Sequence, residues 1–328
     1  MSPQVFYRKW RPQRLDEVIG QESVIRTLKQ AILTNRVAHA YLLAGPRGTG
    51  KTSTARILSK AINCLGSDNA EPCNGCHICQ SVNDGRSVDL IEIDAASNRG
   101  IDDIRNLSDK VRFTPSEARF KVYIIDEVHM LTSPAFNALL KTLEEPPEHA
   151  IFILATTEVH KIPLTIISRC QRFDFRRIPQ DLMQNKLLEL CESEGVNVSD
   201  QALALIARRS SGSLRDAENL LEQAIVSYNG TITDDNIRDM TGLQDDQTAI
   251  LLITHVINND MAQALTKLNN LSADGADLAE LHRSMIEYLR CLLLIKTGAG
   301  GVEGYSEQTI TDIKNVASST SLSRLINT

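Results

Sequence analysis

One octapeptide constrains this chain more than any other stretch: Gly45-Pro46-Arg47-Gly48-Thr49-Gly50-Lys51-Thr52. It follows a short apolar run, Tyr41-Leu42-Leu43-Ala44, and it opens a helical pattern that runs from about Lys51 to Asn63. A G-x4-G-K-T sequence between a strand and a helix aims backbone N–H groups at one point beside the positive helix end, where they cradle phosphates. Lys51 is expected to contact the β- and γ-phosphates and Thr52 to ligate Mg2+. The loop specifies a nucleoside triphosphate, but many unrelated machines carry it.

Val122-Tyr123-Ile124-Ile125-Asp126-Glu127 supplies the partner motif. Four apolar residues predict a buried strand, Lys121 to Asp126, whose end delivers two carboxylates beside the phosphates. Asp126 is expected to orient Mg2+ and its waters, and Glu127 to polarise the attacking water. ATP hydrolysis is therefore the expected chemistry. Further strands are predicted at Leu90 to Asp94 and Ile151 to Ala155, and helices around Val24, Leu28 and Ile32 and from Ile101 to Val111. Ser133 is expected to cap a helix that begins with Pro134 and runs to about Glu144. Strands alternating with helices at these lengths predict an α/β domain, its parallel sheet covered on both faces.

Beyond Pro179 the pattern changes. No convincing strand remains, and helices are predicted at about 181–194, 200–210, 213–228 and 234–241. A further helical block follows Gly242, with Ala276 to Lys296 its longest periodic stretch and Gly298-Ala299-Gly300-Gly301 a flexible break. The end, Leu325-Ile326-Asn327-Thr328, carries no capping signal, as expected of a piece of a longer chain. The 328 residues suffice for two or three cores. No apolar run approaches the roughly 20 residues that span a bilayer. Met1-Ser2-Pro3-Gln4-Val5 lacks a signal-peptide core, so a cytoplasmic location is expected. A net charge of −6 argues against gripping nucleic acid over the whole surface, so any DNA contact is local or shared among subunits.

Four of the seven cysteines, Cys64, Cys73, Cys76 and Cys79, cluster just behind the glycine loop's helix. In a chain that is neither short nor secreted, metal ligation is a better use for them than disulfides. Four thiolates complete a tetrahedral Zn2+ shell at about 2.3 Å each and leave no open position, which makes the site structural. His77 is not needed as a ligand, and an iron–sulfur cluster is the alternative occupant. Asn63 to Ser81 holds few large apolar residues, and zinc binding worth roughly 10–16 kcal/mol compensates for that in small modules. Cys170, Cys191 and Cys291 stand alone and are read as plain buried residues.

Three more stretches gain meaning together. They are Thr156-Thr157 after the strand at 151–155, Ser168-Arg169-Cys170, and Gly212-Ser213-Leu214-Arg215-Asp216. Taken singly, each arginine reads as a surface or salt-bridge residue. The order of all these motifs resembles the AAA+ ATPases of the clamp-loader clade. The cysteine module, Tyr7-Arg8-Lys9-Trp10-Arg11-Pro12, Asp94-Ala95-Ala96-Ser97-Asn98 and Leu139 to Pro147 extend the resemblance to the clamp loader of bacterial DNA polymerase III. It is strong from about Gln4 to Gly242 and weak beyond.

The resemblance implies an AAA+ P-loop domain over 1–178 with a zinc module at 64–79, a small helical lid over 179–242, and a partial helical collar over 243–328. It implies that Thr157 and Arg215 sense the nucleotide, that Arg169 completes a neighbouring subunit's site in trans, and that Tyr7, Arg11 and Pro12 clamp adenine. The implied ligands are ATP, Mg2+ and structural Zn2+. The implied partners are delta and delta-prime subunits, further copies of this chain, the sliding clamp, primed DNA at the replisome, and polymerase core and helicase through any longer C-terminal tail. No membrane partner and no polymerase active site is expected. Arg99, Arg105 and Lys141 are candidate DNA-phosphate contacts, with solvated helix charges as the alternative. Rival readings are another AAA+ remodeller, such as a branch-migration motor, and a non-hydrolysing scaffold. The intact Gly50-Lys51-Thr52 and Asp126-Glu127 speak against the scaffold.

Overall fold

Five short segments form a single sheet: β1 (Ala40–Ala44), β2 (Leu90–Asp94), β3 (Lys121–Asp126), β4 (Ala150–Thr156) and β5 (Gln171–Asp174). The order across the sheet is β2-β3-β4-β1-β5, and every neighbouring pair is parallel. The structure is a computed structural model that describes residues 5–66, 68–228, 230–240, 246–273, 278–299, 307–322 and 325.

Alternation along the strands sends Leu42, Tyr123, Ile125, Phe152 and Leu154 to one face of the sheet, and Tyr41, Leu43, Val122, Ile124 and Ile153 to the other. A parallel sheet has no wet face, so helices must cover both. The helices of this part are α1 (Phe6–Lys9), α2 (Glu22–Leu33), α3 (Lys51–Asn63), α4 (His77–Asn83), α5 (Ile101–Val111), α6 (Ser133–Glu144) and α7 (Leu164–Ile167). Ile104, Leu107 and Val111 of α5, with Phe136, Leu139 and Leu143 of α6, pack on the first face. Val24 and Leu28 of α2, with Ala55, Leu58 and Ile62 of α3, pack on the second.

The remaining helices are α8 (Gln180–Glu194), α9 (Asp200–Arg209), α10 (Leu214–Ser227), α11 (Asp234–Met240), α12 (Asp246–Ile257), α13 (Met261–Ala273), α14 (Leu278–Thr297) and α15 (Glu307–Ser319). By its contacts the chain falls into two units, Met1–Leu190 with Arg209–Glu222, and Cys191–Arg208 with Gln223–Thr328. In the second unit, Ile253 and Ile257 of α12, Tyr288 and Leu292 of α14, and Ile313 and Ala317 of α15 share one apolar core. Among the described residues no strand follows β5. Only an isolated bridge, Val198 to Ile232, occurs there. None of the described helices is long and apolar enough to cross a membrane.

The parallel α/β expectation holds, and α3, α5, β2 and β3 match their predicted bounds. Two details differ. The cap of α6 is Thr132 rather than Ser133: its hydroxyl accepts from the Ala135 N–H at 3.4 Å, which puts Ser133 and Pro134 both inside the first turn. β5 was not predicted, because only Phe173 of its four residues is buried. Cys191 and Cys291 are buried as expected, whereas Cys170 is half-buried against the sheet core. The predicted boundary at 242–243, the Ala276 start of the longest helix, residues 1–4, Thr241, Gly300-Gly301 and Ile326-Asn327-Thr328 lie outside the described residues.

Phe152, fully buried in the central strand β4, stacks on Tyr123 with ring centroids 5.3 Å apart and planes 19° apart. Phe152→Ala is expected to cost about 3–5 kcal/mol of stability, read from the shift in urea midpoint at constant slope. A loss under about 1 kcal/mol would contradict this account of the core.

Candidate functional site

The glycine loop joins β1 to α3. The Gly45 N–H continues the sheet ladder to the Thr156 carbonyl at 3.1 Å, and a Cβ on Gly45 would collide with the Phe175 carbonyl. Gly48 has φ 73°, a left-handed backbone, and a Cβ there would run into the Ser213 hydroxyl. The Thr49 hydroxyl donates to the Pro46 carbonyl at 2.8 Å, tightening the turn. Lys51 is only 6% exposed, and its Nζ donates to the carbonyls of Gly45 and Pro46 at 2.8 and 2.7 Å. Burial lowers its pKa below the ordinary lysine value, and the nearby carboxylates of Glu127 and Asp126 oppose that shift.

Parallel register brings the carboxyl ends of the strands level: Ala44 lies opposite Thr156, and Asp94 opposite Asp126. Thr52 Oγ1 therefore reaches Asp126 Oδ2 at 2.8 Å, while Asp126 Oδ1 accepts from the Glu127 N–H at 2.9 Å. Glu127 has φ 46° and ψ 44°, a strained backbone for a residue with a side chain. Its Oε2 accepts from the Thr157 hydroxyl at 3.0 Å and the Thr157 N–H at 3.3 Å. His129 lies 3.4 Å from the same oxygen through Nδ1, and 3.1 Å from the Thr156 hydroxyl. Its Nε2 is 3.4 Å from Glu158. Thr157 thus touches Glu127 directly. His129 escaped the sequence reading, although its place two residues beyond Glu127, in the turn that ends β3, was the available signal.

A cavity of about 390 Å3 lies at the glycine loop and the ends of β2 and β3. Lys51, Thr52, Asp126 and Glu127 line it from the sheet end, Tyr7, Arg11 and Pro12 from the N-terminal segment, and Arg215 and Glu218 from α10. The Arg215 guanidinium stands over the Tyr7 ring at 4.6 Å. Glu218 is 5% exposed, and burial pushes its carboxyl up to about 7 against the pull of Lys186, Arg11 and Arg215. It too was missed, although its i,i+3 spacing from Arg215 puts both on one face of the helix. N–H donors, an ammonium, a hydroxyl and two carboxylates converging in one cleft suit a phosphate chain with a divalent cation.

Arg169 does not line this cavity. It follows α7, where its Nη2 donates to Glu144 Oε1 at 2.6 Å and its Nη1 to the Thr165 carbonyl at 2.8 Å. Arg99, Arg105 and Lys141 are exposed, and Arg105 pairs with Asp102 at 3.3 Å.

The cysteine module spans the loop between α3 and α4. The sulfurs of Cys64, Cys73, Cys76 and Cys79 all lie within 4.8 Å of one another, and His77 is not in the set. A tetrahedral ion with 2.3 Å bonds holds sulfurs roughly 3.8 Å apart, so the four thiols fit such an ion after a small contraction. Backbone N–H groups of Gly75 and Cys76 lower the Cys73 thiol to about 6. Lone Cys170, by contrast, is pushed up to about 12 by burial.

Residues 20–179 match the family model described as DNA polymerase III, delta subunit. Residues 183–230 match the DNA polymerase III clamp loader subunit, ATPase lid domain, and residues 232–328 match DNA polymerase III subunits gamma and tau domain III. The DNA polymerase III subunit tau of Bacillus subtilis is 50% identical over 315 residues, covering 95% of this chain and 55% of that protein. The tau subunit of Escherichia coli is 43% identical, covering 90% of this chain and 46% of that one. The gamma subunit of Buchnera aphidicola from Acyrthosiphon pisum is 42% identical, covering 90% of this chain and 81% of its own length. The chain thus spans about half the length of the tau subunits it matches. The solved Thermotoga maritima RuvB Holliday junction branch migration motor is 21% identical with a TM-score of 0.54, covering 93% of this chain and 98% of that one. At that identity the likeness speaks for the fold alone.

Glu218 carries a pH prediction. Its carboxyl is raised from 4.5 to about 7 in the folded chain, so the folded state binds the extra proton and stability falls as pH rises between those values. Glu218→Gln is expected to raise stability at pH 8 by about 1–3 kcal/mol and to leave it nearly unchanged at pH 4.5, measured by chemical denaturation at both. An equal effect at the two pH values would contradict the shift.

Proposed function

This chain belongs to the gamma and tau subunit family of DNA polymerase III, and on that premise we propose that it is an ATP-driven motor subunit of a clamp loader. It hydrolyses ATP to place a sliding clamp on primed DNA. The observation that carries this reading is the convergence of Lys51, the Thr52–Asp126 hydrogen bond and Glu127 in one cavity beside the glycine loop. A scaffold that never turns over has no use for that set.

In this reading the backbone N–H groups of the glycine loop beyond Pro46 cradle the phosphates, and Lys51 exchanges its two loop carbonyls for phosphate oxygens. Thr52 and Asp126 hold Mg2+, which when bound neutralises charge on the phosphates. Glu127 orients the attacking water, and the Thr157 donors that hold its Oε2 set its direction. Tyr7, Arg11 and Pro12 flank the base, and Arg215 reaches the nucleotide from α10. Arg169 acts on a neighbour's nucleotide, an assignment supported by its place outside this chain's own cavity. Stabilising phosphoryl charge with an arginine from outside is worth on the order of 10³–10⁵ in rate, which would make hydrolysis conditional on assembly.

The segments act as a nucleotide domain over 1–178, a lid over 179–242 and a collar over 243–328; the family matches over 20–179, 183–230 and 232–328 support a threefold division, with the second break nearer 231. The collar would join further copies of the chain with delta and delta-prime subunits, in the cytoplasm at the replisome. Polymerase core and helicase would bind through longer C-terminal sequence, and Arg99, Arg105 and Lys141 are candidates for DNA phosphates. The four cysteines hold Zn2+ as a structural ion, a reading supported by their mutual distances. A branch-migration motor shares the fold, but 50% identity to a tau subunit against 21% to that motor favours the clamp loader.

Lys51→Ala is expected to abolish ATPase activity and clamp loading. Arg169→Ala is expected to leave ATP affinity within about two-fold while lowering turnover of the assembled ring by roughly 10³-fold or more. Both are read from steady-state ATPase with clamp and primed DNA. Full turnover by the assembled Arg169→Ala ring would refute the trans role, and an active Lys51→Ala chain would refute the ATPase reading itself.

A further inference from the structure

The cysteine module is tied to the wall of the nucleotide cavity by buried polar groups. Glu71, inside the module, is 2% exposed. Its Oε2 accepts from the Leu15 N–H at 2.8 Å, and its Oε1 accepts from the Asp16 N–H at 3.1 Å and meets Lys29 Nζ at 2.7 Å. Asn69 and Ala70, just before it, both hold left-handed backbone, with φ 49° and 63°, in a turn closed by the Glu71 N–H to the Asp68 carbonyl at 2.8 Å. Asn74, between two of the cysteines, accepts from Lys60 Nζ at 2.7 Å and donates to the Gln13 carbonyl at 3.4 Å. Lys60 lies on the helix that leaves the glycine loop and is 1% exposed. Its ammonium also reaches the Gln13 carbonyl at 3.1 Å, Gln13 Oε1 at 2.7 Å and Asn83 Oδ1 at 2.9 Å.

The bonds of Glu71 to the Leu15 and Asp16 N–H groups, and those of Lys60 and Asn74 to Gln13, end on one short stretch. The residues on either side of that stretch, Arg11 and Pro12 before it and Glu17, Val18 and Ile19 after it, line the 390 Å3 cavity. A buried carboxylate or ammonium tolerates its site only while its partners stay in place. Glu71 and Lys60 therefore convert the shape of the cysteine turn into the position of the strip that walls the nucleotide.

We infer that the cysteine module is a buttress of the nucleotide pocket, in which Glu71, Asn74 and Lys60 are positioning residues that fix the Arg11–Ile19 wall. Closing the four-sulfur turn on its ion secures the wall, and opening it releases the wall while leaving the glycine loop, built on β1 and α3, in place. The inference rests on the reading of this cavity as the ATP site and of the cysteines as a metal site. It assigns the ion a consequence beyond holding its own loop: affinity for the base and sugar side of the nucleotide.

The sole tryptophan, Trp10, lies on the same N-terminal segment and reports on it. The test uses the whole chain as Glu71→Gln, Asn74→Ala, and the unmutated protein before and after metal removal with a chelator. Gln at 71 keeps one acceptor but turns an amide N–H toward a backbone N–H. Each sample is titrated with a fluorescent ATP analogue and with inorganic tripolyphosphate as competitor, and the Trp10 emission is recorded. The expected result is roughly ten-fold weaker binding of the ATP analogue, the size that follows from one buried unsatisfied group. Tripolyphosphate competition should change by less than about two-fold, since the phosphate loop is untouched, and the Trp10 emission should shift. Unchanged ATP affinity and Trp10 emission, or equal losses for ATP and tripolyphosphate, would overturn the inference. Should a variant fail to fold by circular dichroism, chelation of the unmutated protein decides by the same criteria. Failure of the unmutated, metal-loaded protein to bind ATP would instead overturn the nucleotide reading on which this one stands.

Discussion

Parallel pairing of the strands is the constraint from which the rest of the site follows. Because β1, β2, β3 and β4 all run the same way in register, their carboxyl ends gather along one edge. Each end carries a different chemical group: a glycine loop, Asp94, Asp126 with Glu127, and Thr156 with Thr157. None of them is close in sequence, and no local turn would assemble them. The switch in strand order between β1 and β4 opens the crevice where ligands of such sheets bind.

The hydrophobic cores on the two sheet faces supply the rigidity that the site draws on. Helix α3 packs Ala55, Leu58 and Ile62 against the sheet, so Lys51 and Thr52 at its first turn inherit fixed positions. Against that frame Glu127 holds a left-handed backbone, kept there by the Thr157 and Asp126 hydrogen bonds. Strain of this sort persists only where surrounding structure over-determines it, and it marks a residue whose direction matters. The buried ions Glu71 and Lys60 are of the same kind: each is costly alone and each is held by named partners.

Much of this was legible in the sequence because the relevant signals are local. The spans of α3, α5, β2 and β3 follow from apolar periodicity and, for α3, from the glycine loop that opens it. The glycine loop and the Asp126-Glu127 pair announce themselves by spacing. What was hidden depends on tertiary context. β5 is an edge strand with a single buried residue, Phe173, so it lacks an alternating pattern to read. The α6 cap moved one residue because Thr132 and Ser133 are chemically equivalent candidates and only geometry separates them. Glu218 and His129 look like ordinary polar residues until folding buries the first beside Arg215 and puts the second between Glu127 and Glu158. Beyond residue 243 one long periodic stretch was visible where the described residues form four helices, since α12, α13 and α15 are shorter and share their apolar faces among several neighbours.

The central claim is that the strand ends, the N-terminal segment and Arg215 enclose a magnesium–nucleotide site. An experimental structure of the chain with Mg2+ and a non-hydrolysable ATP analogue tests it most directly. The account predicts phosphates on the glycine-loop N–H groups beyond Pro46, Lys51 Nζ on the β- and γ-oxygens, Mg2+ between Thr52 and Asp126, and the base against Tyr7, Arg11 and Pro12. An analogue bound elsewhere, or bound with its phosphates away from Lys51 and Asp126, would contradict it.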